Sequence, residues 1–261
     1  MMFSRQVIAL EKRLRKCRNV ITLGVKPNWD DYPDQAKAMM MAAKTIYYPS
    51  AFYAELFDTA GVGTFPSYHT YKFVQDKVKQ SALFKLLDVA HPQTRVFFGR
   101  RQQKRITDLF QYPFIAKVAR GSALGRGVYR IDNEEQLERY LVDNHVAYIQ
   151  EYLPVRRDIR VVIIGDEIAH AYWRVAPEGD FRCNLSAGGG IDPSPVPDEA
   201  IALALQTARK CRWNDVGIDV IIHKQRPLVI EANMKYGKQG FRAAGIDYTA
   251  MMEKLIDDGR I

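Results

Sequence analysis

The sequence predicts an α+β protein built as three lobes. Two observations carry that prediction. Short apolar strands are interleaved with helices and hairpins in three successive blocks, and breaks at Gly61, Gly63, Pro66 and Pro92 divide the first block from the second. The composition is compatible: 261 residues, 47% hydrophobic and 26% charged, suffice for a sizeable core. They exclude a disordered tail, a collagen and a disulfide-stapled miniprotein.

In the first block, Val7, Leu10, Leu14 and Cys17 recur at helical spacing, so residues 5–18 read as an amphipathic helix with a basic outer face. A strand at 20–23, a helix at 34–43, a strand at 45–48 and a helix at 51–60 make a small α/β lobe. Residues 61–66 read as an irregular connection into one helix over 69–87. The second block has strands at 95–98, 114–119 and 128–131, the last two joined by a Gly-rich loop. A helix at 133–142 comes next, with Asn133 as its cap and Glu134 and Glu135 in its first turn, and a strand at 147–153 leads out. The third block opens with a hairpin, 159–164 and 167–174, turning at Gly165-Asp166. A Gly/Pro loop at 186–197, a helix at 199–211, strands at 216–222 and 228–231 and a helix at 249–257 complete it. The lobes are expected to span 1–92, 93–149 and 150–261.

The net charge of +8 is concentrated early: residues 1–110 carry 18 Lys/Arg against 9 Asp/Glu, and the remainder 20 against 21. A basic lobe steers anionic partners, but a solvated helix face reads the same way. No zinc finger, helix-turn-helix signature or aromatic RNA-binding strand accompanies it, so nucleic acid has no support beyond the charge. Cys17, Cys183 and Cys211 form no CxxC pair, which suits reduced thiols of the cytoplasm. No apolar run reaches the length of a membrane span, and charges from Glu11 to Lys16 occupy the place of a leader's apolar region, so neither export nor membrane insertion is expected.

Chemistry concentrates in four places. If the last two strands form a hairpin turning near residue 225, Asp219 lies opposite Glu231, with Asn233 on the same face. Two carboxylates and an amide oxygen among Ile218, Val220, Ile221, Val229 and Ile230 suit Mg²⁺ or Mn²⁺; exposed strand-end carboxylates are the alternative. Lys117 precedes a loop holding Gly121, Ser122, Gly125, Arg126 and Gly127, which can lay backbone N–H groups on phosphates or be an ordinary hairpin loop. Gln150, Glu151, Tyr152 and Leu153 leave one lobe for the next, where a strand can offer its backbone to a purine edge. Asp158, Arg160, Arg174, Arg182, Cys183 and Asn184 make the fourth place; arginines suit a transferring phosphoryl group, though each alone reads equally as a surface ion-pair member. The histidines show no metal-ligand spacing, and no GxSxG elbow is present.

Taken in order, Asp76-Lys77, Pro113-Phe114-Ile115-Ala116-Lys117 with its glycine loop, Gln150-Glu151-Tyr152-Leu153, Asp158-Ile159-Arg160, Arg182-Cys183-Asn184 and Asp219 with Glu231-Ala232-Asn233 resemble the ATP-grasp superfamily. Within it they are most similar to RimK-type carboxylate–amine ligases, over about residues 64–241. The resemblance implies an ATP-grasp fold preceded by a small α/β lobe. It implies ATP phosphates on Lys117 and Lys77, adenine at Gln150 to Leu153, and Asp158 and Arg182 to Asn184 lining the nucleotide. Two Mg²⁺ on Asp219, Glu231 and Asn233, catalytic help from Arg182 and Arg174, and a lid from Gly121 to Gly127 are also implied. The implied reaction is ADP-forming amide synthesis from a carboxylate and an amine through an acyl-phosphate. An ATP-grasp kinase, or a silent nucleotide-binding protein using its basic lobe on a partner, are the alternatives, and a homo-oligomer is compatible with all three. The chain departs from the pattern after Asn233, where Met234 to Phe241 replaces a small-Ser-Pro-Gly run. Lys235 and Lys238 there are expected to face an anionic substrate, an amino acid, peptide or acidic protein segment. An N-terminal helix, where the family pattern has a strand, is the other departure.

Overall fold

The computed structural model describes residues 6–119, 127–185 and 188–261. Its strands fall into three sheets. The first is parallel, in the order β2-β1-β3-β4, from β1 (Val7–Ala9), β2 (Val20–Thr22), β3 (Thr45–Tyr47) and β4 (Gly63–Phe65). Helices α1 (Asp34–Ala42) and α2 (Ala51–Thr59) make its crossovers.

The first lobe corrects the sequence reading in three respects. Residues 5–18 are not a helix: β1 is followed by a 3₁₀ turn at Lys12–Leu14. β1 is a central parallel strand, and Ile8, Ala9 and Leu10 are all buried, so a continuous apolar run produced helical spacing by chance. The strand that the resemblance calls for at the start of the lobe is therefore present. The segment read as an irregular connection contains β4. The helix expected over 69–87 is two, α3 (Tyr68–Val74) and α4 (Lys77–Leu86), because the Asp76 carboxylate accepts the N–H groups of Val78 and Lys79 and starts a new helix.

The second sheet is antiparallel, in the order β5-β8-β6-β7: β5 (Thr94–Phe98), β6 (Phe114–Val118), β7 (Val128–Ile131) and β8 (Val146–Glu151). Short helices α5 (Gly99–Gln103) and α6 (Ile106–Leu109) come after β5, and α7 (Glu134–Asp143) starts on the expected Asn133 cap. The third sheet runs β11-β10-β9-β12-β13, from β9 (Arg157–Ile164), β10 (Glu167–Val175), β11 (Gly190–Asp192), β12 (Asp215–His223) and β13 (Arg226–Asn233). α8 (Asp198–Cys211) lies on one face, burying Ala200, Ala204, Ala208 and Cys211 at helical spacing against Ile159, Val161, Ile163 and Ile218. α9 (Gln239–Ala243) and α10 (Tyr248–Asp257) pack on the other, where Val162 and Ile164 meet Phe241, Tyr248 and Met252.

Strand alternation positions the chemistry. In β6, Phe114 and Ala116 belong to the core beneath the second sheet, so Lys117 points from the opposite face. In β9 the even-numbered residues turn away from α8; near the hairpin turn they are Val162 and Ile164, and farther along they are Arg160 and Asp158.

Candidate active site

One cleft lies between the second and third sheets, lined by Lys117, Gln150 to Leu153, Asp158, Arg174, Arg182 to Asn184, Asp219 and Glu231, with apolar walls that include Ile115, Val128 and Phe181. Nearly all of the expected nucleotide and catalytic residues thus meet in one place. Gly121, Ser122, Gly125 and Arg126 lie outside the described residues; Gly127 is described, with φ of 70°.

At the interlobe strand the side chains are occupied and the backbone is open. Glu151 and Gln93 bind reciprocally: the Gln93 N–H donates to Glu151 Oε1 at 2.7 Å, and the Glu151 N–H to the Gln93 carbonyl at 2.9 Å. Gln150 Nε2 donates to Thr94 Oγ1 at 3.0 Å. The Leu153 carbonyl accepts from the Val155 N–H at 2.8 Å, while the Leu153 N–H has no backbone partner among the described residues. An apolar slot with an open N–H matches a flat heteroaromatic edge.

Lys117 is buried, with its ammonium 5.7 Å from the Tyr148 ring centre and no hydrogen bond or ion pair to a described residue. Burial lowers its affinity for a proton and Lys77 adds to that, whereas Glu231 opposes both. Lys77, at the start of α4, sends its field into the same cleft. Burial would raise the Glu231 carboxyl, but Lys117 and Lys77 outweigh it and bring it down to about 2. Glu231 is therefore an ionised carboxylate facing a partly desolvated lysine.

Asp219 sits in a buried network. Arg160, its register partner on β9, donates from Nε to Oδ1 and from Nη2 to Oδ2 at 2.9 Å. Arg174 Nη2 also reaches Oδ2 at 2.9 Å, while its Nε and Nη2 grip Asp158 at 2.7 Å each. Asp158, Arg174, Asp219 and Arg160 are all buried and carry no net charge together. Arg160 Nη1 continues to the Tyr236 carbonyl at 3.2 Å. This close approach needs Gly217, where a Cβ would stand 2.5 Å from Tyr236 Cβ and 2.9 Å from Arg160 Cδ. Arg182, by contrast, pairs with its neighbour Asp180, whose carboxyl it lowers to about 2.

Two hairpin irregularities create these pairings. The β12–β13 turn is Lys224-Gln225, both at positive φ, and it sets His223 opposite Arg226. Continued evenly, that register would put Ile230 opposite Asp219. A bulge between Asp219 and Val220 makes Ile230 the extra residue and brings Glu231 opposite Asp219, with Asn233 opposite Gly217. The expected pairing therefore holds, but by a turn one half-step earlier plus a bulge. Likewise Gly165-Asp166 sets Ile164 opposite Glu167, and a bulge at Ala169 aligns Arg174 with Asp158 instead of Arg157. Arg160, grouped in the sequence with arginines that suit a phosphoryl group or a surface ion pair, is a buried partner of Asp219; the signal for that was its i, i+2 spacing from Asp158 on one face.

Among the described residues no three His, Cys, Asp or Glu side chains gather as a metal cluster. The donor set nonetheless fits a hard cation: Asn233 Nδ2 donates to Glu231 Oε1 at 2.9 Å, which leaves the amide oxygen and the second carboxylate oxygen beside one another's residues on the cleft side of β13. Asp219, opposite, has both oxygens on arginines.

Residues 74–256 match the RimK-like ATP-grasp domain. The ribosomal protein bS6–L-glutamate ligase of Escherichia fergusonii is 28% identical over 192 residues, covering 70% of this chain and 63% of that protein. The chain thus spans less than two thirds of the length of that relative. Among solved structures, a RimK domain protein from Sphaerobacter thermophilus superposes with a TM-score of 0.67 at 17% identity, over 96% of this chain and 99% of its own. The ATP-grasp ligase PsnB, complexed with minimal precursor, Mg and ADP, superposes with a TM-score of 0.70 at 14% identity, over 100% and 99%. With the three-sheet arrangement and the cleft between the second and third sheets, these matches establish that the chain belongs to the RimK-like ATP-grasp family.

Proposed function

We propose that this protein is an ADP-forming carboxylate–amine ligase that makes an amide or peptide bond through an acyl-phosphate. The observation that supports this most is the single cleft in which an unpaired buried lysine, an apolar slot with an open N–H and an ionised carboxylate meet. Adenine occupies the slot and accepts from the Leu153 N–H. Lys117 and Lys77 hold phosphate oxygens, and Asp158, Cys183 and Asn184 line the nucleotide. The lobes 1–92, 93–149 and 150–261 close around it, with Gly121, Ser122, Gly125, Arg126 and Gly127 covering the phosphates against water. Glu231 and Asn233, with Asp219, would hold two Mg²⁺, which when bound supply charge screening at the phosphates.

A carboxylate oxygen attacks the γ-phosphorus as the bond to the β–γ bridging oxygen breaks, and ADP leaves. The amine nitrogen then adds to the acyl carbon, loses a proton, and inorganic phosphate departs as the C–O bond breaks. Arg182, exchanging Asp180 for the phosphoryl group, and Arg174, fixed behind Asp158, offset the charge that moves. Lys235 and Lys238 face the acid. Work in the cytoplasm is in keeping with three buried, unpaired thiols, and among the described residues no helix is long and apolar enough to cross a membrane.

The test is ADP release from Mg-ATP with hydroxylamine across a panel of carboxylates, from amino acids to acidic peptides, with Glu231→Gln as the blank. Hydroxamate formed together with ADP is expected. Phosphorylated acid that resists hydroxylamine would make the protein a kinase, and Mg-ATP binding without ADP from any acid would make it a nucleotide-binding protein.

A further inference from the structure

Six cations converge where the first lobe meets the end of β13. Lys12, Arg13, Arg15 and Lys16, around the 3₁₀ turn after β1, line a cleft of about 520 Å³ together with Lys235 and Lys238, and no acidic side chain lines it. Arg13 fastens the two segments together: its Nη1 donates to the Met234 carbonyl at 3.1 Å, and its guanidinium lies 4.7 Å from the Tyr236 ring centre and 3.9 Å from Asp215. None of the other five forms an ion pair with a described residue. The carboxyl of Glu11 feels both Arg13 and Lys235, yet burial keeps it above its usual value.

Lys238 shows the consequence. Its ammonium stands 4.0 Å over the Tyr248 ring, and burial followed by repulsion from Arg13, Lys16 and Arg242 lowers its proton affinity. Like charges held this closely in a concave wall are relieved by anionic oxygens, and one carboxylate would leave most of them uncompensated. The cleft also begins where it is useful: Lys235 is two residues beyond Asn233, and Gly237, at φ of 75°, turns the chain between the two lysines.

We propose that this cleft receives the acid substrate and that the substrate carries three or more closely spaced anionic groups, carboxylates or phosphates. The proposal rests on the ligase reading and names the substrate class of that enzyme. It also gives the N-terminal basic segment a role: residues 12–16 supply four of the six cations.

Titration calorimetry on the full chain tests it, with the nucleotide cleft filled by Mg²⁺ and a non-hydrolysable ATP analogue. The probes are a tri-glutamate peptide, tripolyphosphate and free glutamate. At least one trianion is expected to bind tenfold or more tightly than glutamate, with affinity falling steeply as salt rises. Whichever trianion binds more tightly identifies the source of the anionic groups. Lys12→Ala/Lys16→Ala/Lys235→Ala, all at exposed positions, should lose tenfold or more for the trianion while binding the ATP analogue within twofold of wild type. Glutamate binding as well as both trianions, or unaltered trianion binding by the triple variant, overturns the proposal. Because these readouts need no turnover, trianion binding by a chain that makes no hydroxamate would refute the ligase and spare the cleft. Hydroxamate formation without preference for a trianion would do the reverse.

Discussion

Replacing Asp219 by asparagine isolates the buried charge network. Asp219 is 2% exposed, and the arginines that grip it, Arg160 and Arg174, are 5% and 4% exposed. The amide keeps the shape and removes the negative charge, so four residues that were neutral together acquire one uncompensated positive charge. Removing one partner of a buried ion pair costs about 3–5 kcal/mol. One amide oxygen can still accept from one arginine, which puts the expected loss near the lower end, about 3 kcal/mol. Each kcal/mol moves Tm by about 2–4 °C in a chain of this size, so Tm should fall by about 6–12 °C. The assay is calorimetric unfolding without nucleotide. Adding Arg160→Met removes the stranded cation, and the double variant should melt above Asp219→Asn, showing coupling of at least about 0.5 kcal/mol. A single variant within about 2 °C of wild type, or a double variant no more stable than the single, would refute the reasoning.

Three further outcomes rest on the same geometry. Gly217→Ala forces a Cβ onto Tyr236 Cβ and the Arg160 stem; overpacking of about 1–3 kcal/mol is expected, read as a lowered Tm, and an unchanged melt would show that Arg160 does not cross β12 as described. Glu231→Gln should leave metal-free ATP binding unchanged or tighter, because Lys117 and Lys77 lose their countercharge, while abolishing the enhancement by Mg²⁺; an intact enhancement would place the metal elsewhere. Burial lifts the Asp215 carboxyl above its usual value, with Arg13 and the Tyr236 hydroxyl opposing. A raised folded-state value means that the folded chain binds the proton more readily. That contribution is full below the unfolded aspartate value near 3.8 and is lost as pH rises through the folded one. Asp215→Asn should accordingly show a smaller decline of Tm than wild type as pH rises from about 3.8 toward neutrality, measured in matched buffers, and parallel curves would count against it.

What the sequence made legible depended on local order. Lys117 ahead of its glycine loop was tied to phosphate only through the resemblance; the alternation that turns it away from Phe114 and Ala116 places it in the cleft. Asn133 as a cap and Asp219 facing Glu231 were readable from spacing. Residues 5–18 misled because a parallel strand buried on both faces has no period of two to reveal it, and Val7, Leu10 and Leu14 then mimic a helix. Arg13 shows the same failure at one residue: read as part of a solvated face, it stands against Tyr48, Tyr236 and Tyr248, contacts supplied by segments more than thirty residues away.

The two bulges explain why the remainder of the site was hidden. A hairpin turn fixes register, and each turn here, taken alone, would set Arg174 opposite Arg157 and Asp219 opposite Ile230. One extra residue, Ala169 in β10 and Ile230 in β13, shifts the far half of each strand and reverses which side chains share its face. Nothing in the composition of an apolar strand marks where that residue sits. β9 itself is regular: beside its turn Val162 and Ile164 pack on Phe241, farther along Arg160 meets Asp219 across an unshifted register, and the shift in β10 brings Arg174 into line with Asp158. Without the β10 bulge, buried Arg174 would face Arg157 and lose its alignment with Asp158, at a cost of several kcal/mol, a large part of what a whole domain has to spare; without the β13 bulge, Ile230 would take the place opposite Asp219 that Glu231 holds. The irregularities are thus the element of the fold on which the candidate site depends most, and they are written in the charges that need them rather than in the residues that form them.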